Sequence, residues 1–155
     1  MNDQAETLGL HDLFHVGIVV HDLDESMRRY EALGSGSWTT FDAETPALYR
    51  GRETIVAARI AFARSGPIHL ELVQPTKGEF TGSVFLAERG EGAYHLGYWV
   101  DDLDETMARA VALGHTIDVV SEQGGFAYLG ADSTSGLHME LVSTRNRPAL
   151  QGVLS

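Results

Sequence analysis

The sequence predicts an α+β fold built from two βαβββ modules in tandem, which form a cupped, barrel-like mixed sheet with helices outside. Three observations predict it. A stretch of 21 residues occurs twice, a six-residue segment near each module's end also occurs twice, and both copies switch between strand-like and helix-like apolar spacing. We expect one domain over residues 1–155, with module 1 at about 13–75, a linker helix at about 83–90 and module 2 at about 93–143.

The two repeats have different offsets, and the difference locates extra residues in the first module. Phe14 to Gly34 aligns with Tyr94 to Gly114 at an offset of 80 residues, and 12 of the 21 paired positions are identical. Ile68 to Val73 aligns with Leu137 to Val142 at an offset of 69. The offset falls by 11, so module 1 holds about that many extra residues, for which the polar stretch Ala43 to Thr54 is the candidate.

Each module opens with a strand, predicted at 14–20 and at 94–100 from β-branched and aromatic residues. Strand side chains alternate between faces. The face without the histidine is wholly apolar in module 1 and is expected against the helices: Phe14, Val16, Ile18 and Val20. The other face should point into the concavity of the sheet: His15, Gly17 and Val19, matched by His95, Gly97 and Trp99. We expect the glycine beside each histidine to leave space for an ion or ligand.

A helix follows each first strand. Its start is predicted at an aspartate N-cap with a glutamate three residues later, as in a capping box, and its end at a glycine. These positions are Asp22, Glu25 and Gly34 in module 1 and Asp102, Glu105 and Gly114 in module 2. The remaining strands are predicted at about 37–41, 55–63 and 68–73, and at about 115–120, 125–130 and 137–142.

The last strand of each module carries a glutamate among apolar residues, and a buried carboxylate is costly unless it is paired or metal-bound. Together with the two first-strand histidines, these glutamates form the predicted metal site: His15, Glu71, His95 and Glu140. Oxygen and imidazole ligands suit a divalent ion such as Co, Ni, Mn, Zn or Mg. His69 and His138 share the glutamate faces and are expected on the substrate side.

Composition narrows the function classes. The chain has a formal net charge of −11, which disfavours nucleic-acid and membrane-surface binding. It has no cysteine, so thiolate metal sites and cysteine nucleophiles are excluded. No signal peptide or membrane-spanning run is visible, and a cytoplasmic protein with a small-molecule substrate is expected.

These four ligand positions on paired βαβββ modules resemble the vicinal oxygen chelate superfamily, also called the glyoxalase/bleomycin resistance/dioxygenase fold, over nearly the whole chain. The segment Phe85 to His95 and the residues around Glu71 are similar to methylmalonyl-CoA epimerases. The resemblance implies proton transfer at a carbon next to a metal-chelated carbonyl, possibly a thioester, with Glu140 and Glu71 as the catalytic carboxylates. A homodimer is expected, and the modules could pair within one chain or across two.

The resemblance does not fix the roles of several residues. Trp99 would narrow the pocket, and Arg50 and Arg52 of the extra segment could bind a substrate carboxylate or phosphate. Glu44 or Glu53 from the same segment could be the second proton carrier. Glyoxalase I-like lactoylglutathione lyase chemistry is the nearest enzymatic alternative, and a ring-cleaving dioxygenase is less favoured. The alternative of another class is a non-catalytic antibiotic-binding resistance protein whose cleft uses aromatic residues: Trp38, Tyr98, Trp99 and Phe126.

Overall fold

The order strand, helix, strand, strand, strand occurs twice along the chain in a computed structural model, which describes residues 6–155; the first five residues of the expected domain lie outside it. A helix follows each of the two modules. The elements are β1 (Leu13–Val19), α1 (Leu23–Ala32), β2 (Thr39–Tyr49), β3 (Arg52–Ser65), β4 (Ile68–Lys77), α2 (Thr81–Arg89), β5 (Gly92–Val100), α3 (Leu103–Ala112), β6 (Ile117–Ser121), β7 (Phe126–Leu129), β8 (His138–Ser143), a 3-10 turn (Thr144–Asn146) and α4 (Arg147–Leu154).

The eight strands close into one mixed barrel in the order β1-β4-β3-β2-β6-β7-β8-β5. Within the modules, β1 runs parallel to β4 and β5 parallel to β8. Between the modules, β1 pairs with β5 and β2 with β6, both antiparallel. The predicted α+β class is therefore confirmed, and the two modules of a single chain pair with each other.

The helices α1 and α3 begin and end where the repeat predicts. Asp22 accepts the backbone N–H of Glu25 at 3.0 Å, and Asp102 does the same for Glu105. The Glu25 carboxylate pairs with Arg29 at 2.6 Å instead of returning to the cap. Among the described residues, no helix is long and apolar enough to cross a membrane.

The extra residues of module 1 lengthen a hairpin instead of forming a loop. Strands β2 and β3 pair continuously from Thr39 opposite Phe62 to Tyr49 opposite Arg52. The two residues between them, Arg50 and Gly51, both have positive φ (50° and 81°), as a two-residue hairpin turn requires. The predicted strands at 37–41 and 55–63 were therefore too short.

Two bulges break the side-chain alternation expected in the first strands. The register of β1 with β5 shifts at Phe14 and again at Tyr94. A bulge puts neighbouring side chains on the same face, so Phe14 lines the interior beside His15, and Tyr94 lies beside His95. Phe14 faces the interior and contacts helix α4 there, so the expectation that it shares the outer face with Ile18 and Val20 was wrong. Ile18 and Val20 do pack near α1.

Candidate metal centre

The four predicted ligands meet inside the barrel on four neighbouring strands. His15 and His95 lie on the paired strands β1 and β5. Glu71 on β4 is opposite Gly17, and Glu140 on β8 is opposite Gly97. None of the four is more than 9 % exposed, so two acidic and two basic side chains share one buried space.

The ligand atoms are close enough to hold one ion. The Nε2 atoms of His15 and His95 lie 2.8 Å apart, and Glu140 Oε2 lies 3.0 Å and 2.9 Å from them. Glu71 Oε1 is less close, at 3.2 Å from His95 and 3.7 Å from His15. Neighbouring ligands on an octahedral ion with bonds of ~2.1 Å lie about 3.0 Å apart, so the spacing fits a divalent cation. All four atoms lie within 4.8 Å of one another.

A glycine of each module makes room for the histidine of the other. A Cβ on Gly17 would lie 1.9 Å from Cε1 of His95, and a Cβ on Gly97 would lie 2.0 Å from Cε1 of His15. Both distances are far below any contact that carbon atoms tolerate. The space beside each glycine is thus filled by the opposite imidazole, which corrects the expectation that it would be left for an ion or ligand.

Electrostatic interactions within the cluster favour the charged forms of His95 and Glu140. Burial alone would lower the pKa of His95, but the charges and hydrogen bonds of Glu140 and Glu71 outweigh it and raise this pKa to about 9. Burial would raise the pKa of Glu140, but the two histidines outweigh it and hold the pKa well below its usual range. A bound cation would replace the proton between these groups, because an imidazole ligand must be neutral.

The outer nitrogens of both imidazoles are buried without a hydrogen-bond partner among the described residues: His15 Nδ1 and His95 Nδ1. A ligating histidine usually donates from this atom to a carboxylate or carbonyl. Here aromatic rings flank the imidazoles instead. Phe14 and Phe62 lie edge-on to His15, and two tyrosines lie edge-on to His95. The rings are therefore oriented by packing.

The two tyrosines beside His95 are Tyr94 and Tyr128. Their rings stack at 6.2 Å, and both side chains are buried. Burial, with the nearby charges of Glu71 and Glu140, raises the pKa of both hydroxyls well above 10.0. Both tyrosines therefore stay neutral at physiological pH.

A cavity of about 220 Å³ opens beside the ligand cluster. Its polar lining consists of His15, Glu71, Glu140, Thr45, Asn146 and the two tyrosines. The rest is apolar: Phe14, Phe41, Ala43, Val56, Ala58, Ile60, Phe62, Val73, Phe80, Phe126, Val142, Ala149 and Leu150. A small ligand in this space would contact the ion and an apolar wall together.

The other predicted site residues lie outside this cavity. The Nε2–H of His69 donates to the carbonyl oxygen of Leu154 at 2.8 Å and so holds the end of α4. The Nδ1–H of His138 donates to the carbonyl oxygen of Leu129 at 2.8 Å. Trp99 stacks on the outer side of Phe14 at 4.0 Å and does not narrow the cavity.

The charged residues of the extended hairpin also point away from the ligand cluster. Arg50 lies in a separate surface cavity with His138, 3.5 Å from Asp118, and Arg52 pairs with Glu79 on the surface. Glu44 faces outward toward Lys77, and Glu53 is exposed. The structure thus corrects the expectation of a second carboxylate from this segment, and a substrate contact by either arginine stays a prediction.

Sequence reasoning missed the aromatic residues opposite the glutamates and the helix α4. Phe62 pairs with Glu71 and Tyr128 with Glu140 across neighbouring strands. These aromatic residues are nine and twelve positions before their glutamates, so no constant offset links them in the sequence. Of the aromatic cleft proposed for a resistance protein, only Phe126 lines the cavity.

Comparison with known proteins shows a family match and a similar relative. A family model described as the Glyoxalase/Bleomycin resistance protein/Dioxygenase superfamily matches residues 14–133. The uncharacterized protein YqjC of Bacillus subtilis is 26 % identical over 141 residues, which cover 85 % of this chain and 91 % of that protein.

Solved structures share the fold at low identity. A methylmalonyl-CoA epimerase variant of Streptomyces coelicolor, in complex with 2-nitronate-propionyl-CoA, is 24 % identical with a TM-score of 0.63, covering 87 % of this chain and 95 % of its own. The methylmalonyl-CoA epimerase of Mycobacterium tuberculosis is 24 % identical with a TM-score of 0.59, covering 90 % and 91 %. A hypothetical protein of Bacillus halodurans is 23 % identical with a TM-score of 0.60, covering 86 % and 94 %.

Proposed function

Because the chain belongs to the glyoxalase/bleomycin resistance protein/dioxygenase superfamily, we propose that it is a metal-dependent isomerase, epimerase or lyase. Its reaction is proton transfer at a carbon next to a chelated carbonyl. One observation carries the proposal: two histidines and two glutamates, all buried, place their ligand atoms within 4.8 Å of one another beside a cavity. A packed core without a ligand would not gain from four titratable groups in one place.

A divalent ion held by His15, Glu71, His95 and Glu140 would act as a Lewis acid toward negative charge that develops on a substrate oxygen. The protein residues contribute position and a dry surrounding. The reciprocal glycines fix both imidazoles, and the aromatic rings keep water from them. Electrostatic contacts are stronger in such a surrounding than in water.

Glu71 is the better candidate of the two carboxylates for proton transfer. Glu140 contacts both histidines at 3.0 Å or less, whereas the nearest contact of Glu71 with a histidine is 3.2 Å. A less tightly held carboxylate can turn toward a substrate carbon in the cavity, which Glu71 also lines. Glu140 then serves mainly to hold the ion.

An acyl-CoA thioester is the substrate class that the epimerase-like neighbours suggest. The solved relative from Streptomyces coelicolor is in complex with 2-nitronate-propionyl-CoA. In our chain the thioester carbonyl would lie at the ligand cluster, and the long polar arm would leave the cavity.

A homodimer stays a prediction. Light scattering on the purified protein measures its mass directly.

The test is deuterium exchange at the carbon next to the carbonyl, with cobalt-loaded protein and a panel of acyl-CoA thioesters and α-hydroxy carbonyl compounds. We expect exchange with the unaltered protein, its loss in Glu71→Gln with the metal retained, and loss of both metal and exchange in Glu140→Gln. The exposed Glu79→Gln is the matched control. Metal binding without exchange on any compound would favour the non-catalytic binding protein instead.

A further inference from the structure

The wall of the cavity differs sharply from the ligand cluster beside it. Apart from the metal-site residues, the described side chains that line it include no lysine, arginine, aspartate or glutamate. We propose that the substrate group attached to the chelating oxygens is uncharged and apolar and has the size of one aromatic ring. This inference rests on the proposed function, because the ion would bind the chelating oxygens.

The volume supports one ring. The cavity measures about 220 Å³. Apolar cavities of about 150 Å³ take up benzene, so a ring and a two-atom chelating unit fill this space. Five phenylalanines line the space that such a ring would fill: Phe14, Phe41, Phe62, Phe80 and Phe126.

The absence of a balancing charge argues against a second anionic group on the substrate. A carboxylate or phosphate held against this wall would lose its hydration without gaining a charged or hydrogen-bonding partner, which is energetically unfavourable. Tyr94 and Tyr128 are buried and stacked on each other at 6.2 Å, and neither carries a positive charge. The two remaining polar lining residues, Thr45 and Asn146, lie at the boundary with a neighbouring cavity of about 290 Å³ that also contains Arg145. A polar extension would leave in that direction.

The experiment compares three hydroxamates, each of which offers two neighbouring oxygens to a metal, on cobalt-loaded protein by titration calorimetry. Benzohydroxamate should bind at least about tenfold more tightly than acetohydroxamate, since its ring is buried. 4-Carboxybenzohydroxamate should bind at least about tenfold more weakly than benzohydroxamate, because its charge has no partner.

A pair of lysine variants on β2 tests whether an added positive charge improves binding of the carboxylated compound. Ala43 lines the cavity, whereas Thr40 is exposed on the opposite face of the same strand. Ala43→Lys should tighten binding of 4-carboxybenzohydroxamate selectively, and Thr40→Lys should leave all three affinities unchanged.

The outcomes separate this inference from the proposed function. Equal affinities for acetohydroxamate and benzohydroxamate, or tight binding of the carboxylated compound by the unaltered protein, would overturn the apolar substrate group while leaving chelation intact. No binding of any hydroxamate to metal-loaded protein would overturn chelation itself, and this inference with it. The comparison on unaltered protein decides the matter even where Ala43→Lys does not fold.

Discussion

The two halves of the barrel interior carry the same candidate metal ligands but different walls. The histidine of the first half lies between Phe14 and Phe62, which offer no polar atom. The histidine of the second half lies between Tyr94 and Tyr128, each of which carries a hydroxyl. The histidines and glutamates have to meet at one point, so both modules place them alike. The walls need only fill space, so they differ.

The two helices that follow the modules, α2 and α4, differ in how tightly they pack. Phe80, at the start of α2, is buried in the cluster that contains both tyrosines. Leu150 and Leu154 of α4 pack only partly against Phe14 and its neighbours, and α4 has no buried residue. Helix α4 is therefore packed more loosely than α2.

The reciprocal glycines should have the largest effect when altered, and equally in both halves. Gly17→Ala and Gly97→Ala each force the opposite imidazole to move, because the new Cβ would lie within 2.0 Å of it. We expect about 100-fold weaker metal binding or more, and a fall of about 1–3 kcal/mol in the free energy of unfolding.

Metal titration and urea unfolding measure both quantities. Gly36→Ala is the control, since the nearest atom to its Cβ is 4.0 Å away, and it should change stability by less than about 0.5 kcal/mol. If Gly17→Ala and Gly97→Ala bind metal normally, the packing of the two imidazoles is not what fixes the site.

The covering helices should respond unequally to truncation. Phe80→Ala removes a side chain that is 3 % exposed, and it should cost about 3–4 kcal/mol of folding stability. Leu150→Ala removes a half-buried side chain and should cost about 1 kcal/mol. Equal costs in urea unfolding would show that α4 is packed as firmly as α2.

Exchanging the wall residues tests the polar difference between the halves. Phe62→Tyr adds a hydroxyl to a ring that is 3 % exposed and should cost about 2 kcal/mol. Tyr128→Phe removes a hydroxyl from a buried ring and should cost about 1 kcal/mol or less. Thermal unfolding of the metal-free variants gives both values, and a stabilising Phe62→Tyr would contradict an apolar first half.

The pH dependence of the metal-free protein tests the charge of His95 in the second half. The folded pKa of His95, about 9, lies above its ordinary 6.5. The resulting stabilisation is complete below pH 6.5 and is lost as the pH rises through 9. The lowered pKa of Glu140 belongs to the same ion pair. Its contribution to stability is lost as the pH falls and that carboxylate is protonated. We therefore expect the metal-free Tm to fall by about 5 °C or more between pH 6.5 and 9.5.

Metal-loaded protein should behave in the opposite way over this alkaline range, because its histidines are already neutral and bind the ion more readily as protons become scarce. Scanning calorimetry of both forms at matched ionic strength makes the comparison. A metal-free Tm that rises from pH 6.5 to 9.5 would be inconsistent with a charged His95.

The four ligands could be predicted from the sequence because each is duplicated at a fixed position within an apolar strand. The bulges at Phe14 and Tyr94 could not, because they depend on how β1 and β5 pair, and one strand alone does not determine that. The same strands therefore gave four residues that do come together, and the wrong face for Phe14.

Two further differences have local physical causes. The long hairpin was read as an insertion because Asp42, Glu44 and Pro46 are poor strand formers, although the inward residues alternate regularly. Helix α4 lies outside the repeat and is only 8 residues long. Its helical pattern is too short to predict, and its packing on Phe14 depends on the tertiary fold.

Metal content decides whether the four-ligand site exists. Protein purified without chelator should carry about one divalent ion per chain by plasma mass spectrometry, alone or after incubation with cobalt, nickel, manganese or zinc. His15→Ala and His95→Ala should lose it, and His69→Ala, whose ring contacts the backbone of α4, should keep it. No bound ion in the unaltered protein under any of these conditions, or retention in both ligand variants, would contradict the site.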